Sequence, residues 1–206
     1  MTRQAVIKRL RTVATLALML AAGCATNVTV KGDFPPPLSR PLPLHGGLVL
    51  DDKFQSHVYQ DEQNRKLTFA IGAAQTAMLR SLGGGLFTRT SELGSLDKAS
   101  GQDLILVPSV EEIQVAMPFE TQLKVFEVWL KYNIAVYDGK GEPVADWIMT
   151  AYGKTPSRFL SSDEEALNQA AIVALRDAGA RLLLEFPRVP EVQAWLQASR
   201  TVGAAP

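Results

Sequence analysis

The chain has 206 residues, 47% of them apolar, with 21 basic and 21 acidic side chains, two histidines and one cysteine. That content supports one full hydrophobic core, while the balanced charge leaves no electrostatic footprint for nucleic acid. One thiol forms neither an internal disulfide nor a cysteine cluster, and His45 and His57 fall outside any metal-ligand spacing, so neither a metal nor another cofactor is expected.

The first element lies at the amino terminus. Arg3, Lys8, Arg9 and Arg11 precede the apolar run from Leu16 to Gly23, with no acidic residue among them. The run is shorter than the ~20 residues that span a bilayer. A basic start, a short apolar core and the small residues Ala21-Ala22-Gly23 make a secretory signal over residues 1–23. Cys24 stands where the cleavage site belongs. This arrangement resembles the lipobox of bacterial lipoproteins, with Ala21 where that family prefers leucine and Leu20 one place earlier. The resemblance implies a cut between Gly23 and Cys24 and acylation of the Cys24 thiol. Ala25 stands where aspartate marks inner-membrane retention, which implies the outer membrane, periplasmic face. An apolar helix ending in an ordinary cysteine is the alternative; charge, core length and cysteine position together favour the signal. The mature chain then carries 17 basic and 21 acidic residues. With no polybasic patch to hold an anionic surface, the acyl chains carry the attachment, at ~0.8 kcal/mol per buried methylene.

Residues 24–45 read as a lipidated, proline-rich tether containing Pro35-Pro36-Pro37, Pro41 and Pro43, because proline favours extended geometry at ~3.1 Å per residue. Its later part is expected along the domain surface. The domain proper is placed at 46–199 and a disordered tail at 200–206. Leu48-Val49-Leu50 after Gly46-Gly47 predicts a first strand. Leu67, Ile71, Ala74, Met78 and Leu82 recur at helical steps and predict a helix from about Asp61 to Leu82, ended by Gly83-Gly84-Gly85. Phe87 leads into an edge segment. Leu104-Ile105-Leu106-Val107 and Ile113 to Val115 predict a strand bent or interrupted at Pro108.

From Lys124 to Val136 the residues Phe126, Val128, Leu130, Tyr132, Ile134 and Val136 alternate with a mixed set, which predicts a long strand with one face buried. Asp138-Gly139-Lys140-Gly141 predicts a turn and Val144 to Tyr152 the return strand. Ser162-Asp163-Glu164-Glu165 has the form of a capping box. It opens an alanine-rich helix that Pro187 stops, with a short helix from Glu191 to Ser199 after it. The alanines predict close approach to the sheet.

This order makes an α+β domain: a largely antiparallel sheet of about four strands with two amphipathic helices packed on one face. From Leu48 to Phe186, the hairpin followed by an alanine-rich helix resembles small periplasmic lipoprotein domains. These are the curli-secretion lipoprotein, the N-terminal domain of the Tol-Pal propeller protein and the activator lipoproteins of penicillin-binding proteins. The resemblance implies envelope work through protein contacts.

Catalytic motifs of the Gly-x-Ser-x-Gly and complete phosphate-loop kinds are absent from the sequence. Asp51-Asp52, Glu111-Glu112 and Asp163-Glu164-Glu165 are acidic runs, any two of which could face each other as a hydrolase pair. Trp129, Trp147, Met149 and Tyr137 are expected on one face of the hairpin, either as core under a helix or as a partner surface. The leading reading is therefore a non-enzymatic lipoprotein. It meets the membrane through its acyl chains, acts in assembly, scaffolding or regulation, and has a protein partner, with self-association open. An auxiliary lipoprotein of a lipid or solute transport system, binding an apolar ligand under the helices, is the second reading, and an envelope hydrolase the third.

Overall fold

Strict alternation builds the larger sheet. Along β7 (Val125–Asp138), Phe126, Val128, Leu130, Tyr132, Ile134 and Val136 are buried and the intervening side chains reach solvent. The computed structural model describes residues 26–61, 66–99, 101–156 and 162–203; the expected signal, with Gly23 and Cys24, lies outside them. Strand β7 pairs antiparallel with β6 (Leu104–Ala116) on one side and β8 (Pro143–Pro156) on the other. The β7–β8 turn forms where the sequence places it. The Asp138 Oδ1 accepts from the N–H groups of Lys140 at 2.8 Å and Glu142 at 2.9 Å, and Gly141 takes φ +82°, a conformation glycine adopts without steric cost.

The sheet then extends beyond the expected four antiparallel strands. Its order is β5-β2-β6-β7-β8, with β2 (Leu42–Val49) parallel to both β5 (Phe87–Leu93) and β6. Parallel neighbours require a long crossover. Residues 50–86 supply it between β2 and β5, with helix α1 (Asp52–Gln55), β3 (Val58–Asp61), β4 (Leu67–Ala70) and helix α2 (Gly72–Leu86). Proline does not interrupt β6: Pro108 sits in register with Ile134. Strand β2 reaches β6 only as far as Leu106, so at Pro108 the strand has a partner on one side and the missing N–H costs no ladder bond there.

A second sheet, β1-β4-β3, uses β1 (Thr26–Thr29) parallel to β4. It corrects two expectations. The helix predicted from Asp61 begins only at Gly72, because Leu67, Phe69 and Ile71 are buried at two-residue steps that suit a strand running into a helix. The tether expected over 24–45 contains β1 and the start of β2, and Val28 and Val30 are buried in the core. Its later, proline-rich part lies along the fold as expected, where the Ser39 hydroxyl donates to the Gly85 carbonyl at 2.8 Å.

The triple glycine also has a different purpose from the expected helix stop. Helix α2 runs through it to Leu86, and none of the three glycines has a positive φ. A Cβ on Gly85 would lie 2.3 Å from Pro37 Cγ, and one on Gly83 2.8 Å from Thr90 Cγ2. Two of the three glycines therefore admit neighbouring chain.

Helix α3 (Asp163–Glu185) starts as predicted, with the Ser162 Oγ accepting from the Glu165 N–H at 3.2 Å. Its buried Ala166, Ala170, Ala171, Ala174 and Ala178 bring it down onto β8. At Gly153 the approach is so close that a Cβ would lie 2.1 Å from the Ala170 carbonyl oxygen. After a 3₁₀ turn at Phe186–Arg188, α4 (Pro190–Gly203) continues past the expected Ser199. None of the described helices is long and apolar enough to cross a membrane.

Candidate functional site

Directly opposed residues of an antiparallel pair share a face of the sheet. Across the hairpin, Trp129 opposes Tyr152, Ile134 opposes Trp147 and Tyr132 opposes Met149. Odd positions on β7 therefore share a face with even positions on β8. Trp129 and Tyr137 lie on the outer face, while Trp147 and Met149 point under the helices, Met149 buried and Trp147 packed on the core. The four residues expected as one surface are thus divided between two faces. Tyr137 is partly covered as well, packing against Val49, Ala99 and Ile105 beneath the 3₁₀ turn Leu96–Lys98.

What the outer face does present is an aromatic shelf that Tyr152 completes. The rings of Trp129 and Tyr152 lie 5.1 Å apart at 38°, and the Tyr152 hydroxyl donates to the Glu127 Oε1 at 2.6 Å. Beside them Glu112, Gln114, Trp129, Leu130, Lys131, Thr150 and Ala151 line a shallow depression of about 180 Å³. The Gln114 amide donates to Glu112 at 2.6 Å across its rim. Ile148 extends the apolar surface along β8. The backbone of that strand is partly covered, since the Tyr152 N–H donates to Asp177 Oδ2 of α3 at 3.0 Å and Asp177 also holds Arg181.

Burial beside Trp129, followed by the Glu127 carboxylate, raises the Tyr152 phenol from 10.0 to about 12. The folded state then keeps a proton that the unfolded chain sheds above pH ~10, so this group withdraws stability as pH rises from there toward 12 and is neutral below. Ultraviolet titration should show a late tyrosinate step that Tyr152→Phe removes; an unchanged curve in that variant would contradict the assignment.

The acidic runs are occupied elsewhere. Asp51 Oδ1 caps α1 by accepting from the Phe54 N–H at 2.7 Å. It lies near Asp52 and Glu92 along a cleft, but Glu92 is engaged by Arg80 through two bonds of 2.7 Å. The Arg80 hydrogen bond holds the Glu92 carboxyl below its ordinary value, the reverse of what a general acid needs. Glu112 bonds Gln114 on the outer face, and Asp163, Glu164 and Glu165 occupy the first turn of α3, where they oppose its dipole. His45 stitches β2 to its surroundings: its N–H donates to Asp103 at 2.7 Å and its Nε2 meets the Ser91 Oγ at 3.0 Å. His57 has its pKa lowered by burial and then by Lys53, and its carbonyl accepts from Ile71 and Gly72.

Under the helices, Gln75 is the residue that pattern reading passes over. Fully buried, it accepts from the Tyr132 hydroxyl at 3.0 Å and donates to the Phe54 carbonyl at 2.7 Å. A glutamine amid the apolar residues of α2 is the signal that could have found it. The void at this point, bounded by Phe54, Met78, Tyr132 and Met149 among others, is about 10 Å³, room for no more than one water.

No family model matches the chain, and no curated protein sequence matches it. Solved structures do. A DUF330 protein from Xanthomonas campestris has a TM-score of 0.54 at 12% identity, covering 85% of this chain and 96% of that one. This likeness shows a shared fold. Uncharacterized lipoprotein B from Nitrosomonas europaea reaches a TM-score of 0.39 at 12% identity, over 82% of this chain and 94% of that one. A minor lipoprotein from Acinetobacter baumannii reaches 0.35 at 12% identity, over 75% and 96%. The narrower resemblance to curli-secretion, Tol-Pal and activator lipoproteins stays a reading of the sequence, from its element order and its hairpin followed by an alanine-rich helix.

Proposed function

We propose that this chain is a lipoprotein anchored through acylated Cys24 on the periplasmic face of the bacterial outer membrane. Its role is non-catalytic, in assembling, scaffolding or regulating a membrane-associated protein complex. The observation that supports it best is how near to Cys24 the packed domain comes. Strand β1 (Thr26–Thr29) lies two residues after Cys24, and Val28 within it is buried, so an anchor on Cys24 would hold the domain directly at its membrane. The aromatic shelf at Trp129 and Tyr152 supports a role through protein contacts, because large aromatic side chains in partly open positions are typical anchors of interfaces. The void of about 10 Å³ at Tyr132 gives no such support to an apolar ligand held under the helices.

The test is metabolic labelling with a fatty acid. Cys24→Ala should lose both the label and membrane partitioning, since nothing else in the sequence replaces the anchor. Equal labelling of variant and native protein would overturn the reading. Cross-linking in envelopes should then capture a partner that Trp129→Ser reduces.

A further inference from the structure

The loop between β6 and β7 presents two large apolar side chains to solvent, Phe119 at 69% and Leu123 at 71% exposure. They do not hang from a loose connection. The Glu120 N–H donates to the Met117 carbonyl at 2.9 Å, and the Met117 N–H donates to Glu120 Oε2 at 2.8 Å. The Thr121 hydroxyl accepts from the Val125 N–H at 3.0 Å, and Lys124 takes φ +55° to enter β7. Buried Met117 and Val125 fix both ends. The loop is thus a braced support that points apolar tips outward, and exposed apolar groups of this kind mark contact surfaces.

The end of the domain on which this loop lies indicates what it contacts. Pro156 pairs with Val125 beside the loop, and β8 leads from there to the start of α3 at Asp163. In the second turn of α3, the Asn168 Oδ1 accepts from the Lys31 N–H at 2.8 Å. Beyond that point the chain follows α3 in its own direction, with Gly32 at Ile172 and Asp33 at Arg176. Thr26 therefore lies at the end where α3 begins, which is also the end of the 117–124 loop. Two residues of extended chain reach at most about 7 Å, so an anchor carried two residues before Thr26 would attach to the domain at this end.

We propose that Phe119 and Leu123 enter the bilayer that receives the Cys24 acyl chains, so that the domain stands on its membrane by the anchor and the loop together. This rests on the lipoprotein reading above. Lysines and acidic residues both occur here, among them Lys66, Lys124, Glu120 and Asp163, so apolar insertion and not lipid charge drives the contact. Full burial of one such side chain shifts partitioning roughly tenfold or more.

The test uses full-length protein with its own Cys24, in vesicles of phosphatidylethanolamine and phosphatidylglycerol, with an environment-sensitive dye that reacts with thiols. Native protein should take up no dye, because its sole cysteine is acylated; uptake there would overturn the anchor reading by itself. Leu123→Cys places the dye on the loop, and Leu184→Cys places it on an exposed apolar site in the last turn of α3, at the far end. Lipids with brominated chains should quench the dye at 123 severalfold more than the dye at 184, and adding Phe119→Ser should weaken that quenching. Equal quenching at both sites, or none at either with native protein dye-free, would overturn membrane contact by the loop. Shielding at 123 in native envelopes but not in pure vesicles would make a protein the occupant and would overturn it equally.

Discussion

A chain that starts at Leu44 should show no cooperative unfolding transition, whereas one that starts at Thr26 should melt as a single domain. The shorter chain loses β1 and with it Val28 and Val30, each worth about 1.5–3 kcal/mol when fully buried. It also uncovers β4, whose Leu67 and Phe69 are buried, and removes Phe34 and Leu42, which pack against the same core. Together these losses approach the ~5–15 kcal/mol by which a whole domain is stable. Circular dichroism during a denaturant melt decides it. Equal midpoints for the two chains would mean that β1 is an accessory strand.

Gly153→Ala should be strongly destabilising, although local preference points the other way. Alanine in a strand interior is favoured over glycine by about 0.5–1 kcal/mol. Here, however, the added methyl would lie 2.1 Å from the Ala170 oxygen and 2.3 Å from the Ala174 nitrogen. Both are backbone atoms of α3, and no rotamer change relieves the overlap. The helix must lift, at a cost at or above the upper end of the ~1–3 kcal/mol typical of overpacking. Gly84→Ala is the matched control. Its Cβ meets nothing within 4 Å inside α2, so it should stabilise by about 0.5–1 kcal/mol. Thermal melts that rank the two variants in the opposite order would show that α3 does not sit on β8 as described.

The parts of this fold legible in the sequence are those that depend on one segment at a time. The alternation from Phe126 to Val136, the Asp138–Gly141 turn and the cap at Ser162 each carry their own physical signal. The alanines of α3 also indicated the close approach that Gly153 completes. What escaped needed knowledge of a second segment. Leu67, Ile71 and Ala74 fit a helical step as well as Leu67, Phe69 and Ile71 fit a strand, and only pairing with Thr26–Thr29 resolves the ambiguity. The glycines at 83 and 85 resemble a helix stop until Thr90 and Pro37 occupy the space above them. The candidate surface failed on parity. Trp129 and Trp147 are both odd-numbered, but the pairing register sets odd against even across the hairpin, so Tyr152 takes the place assigned to Trp147.

The partners of the amino-terminal segment carry a consequence for export. Lys31 bonds Asn168, 137 residues later, and Asp33 meets Arg176 across 143 residues. Closing loops of that length slows folding. If the chain is exported as proposed, none of these contacts would exist until most of it had crossed the inner membrane, and strand β1 would stay unpaired while the rest was still being translocated. An acylating enzyme and a signal peptidase would meet a pliant substrate, and the domain would close over its own first strand only after the anchor is in place.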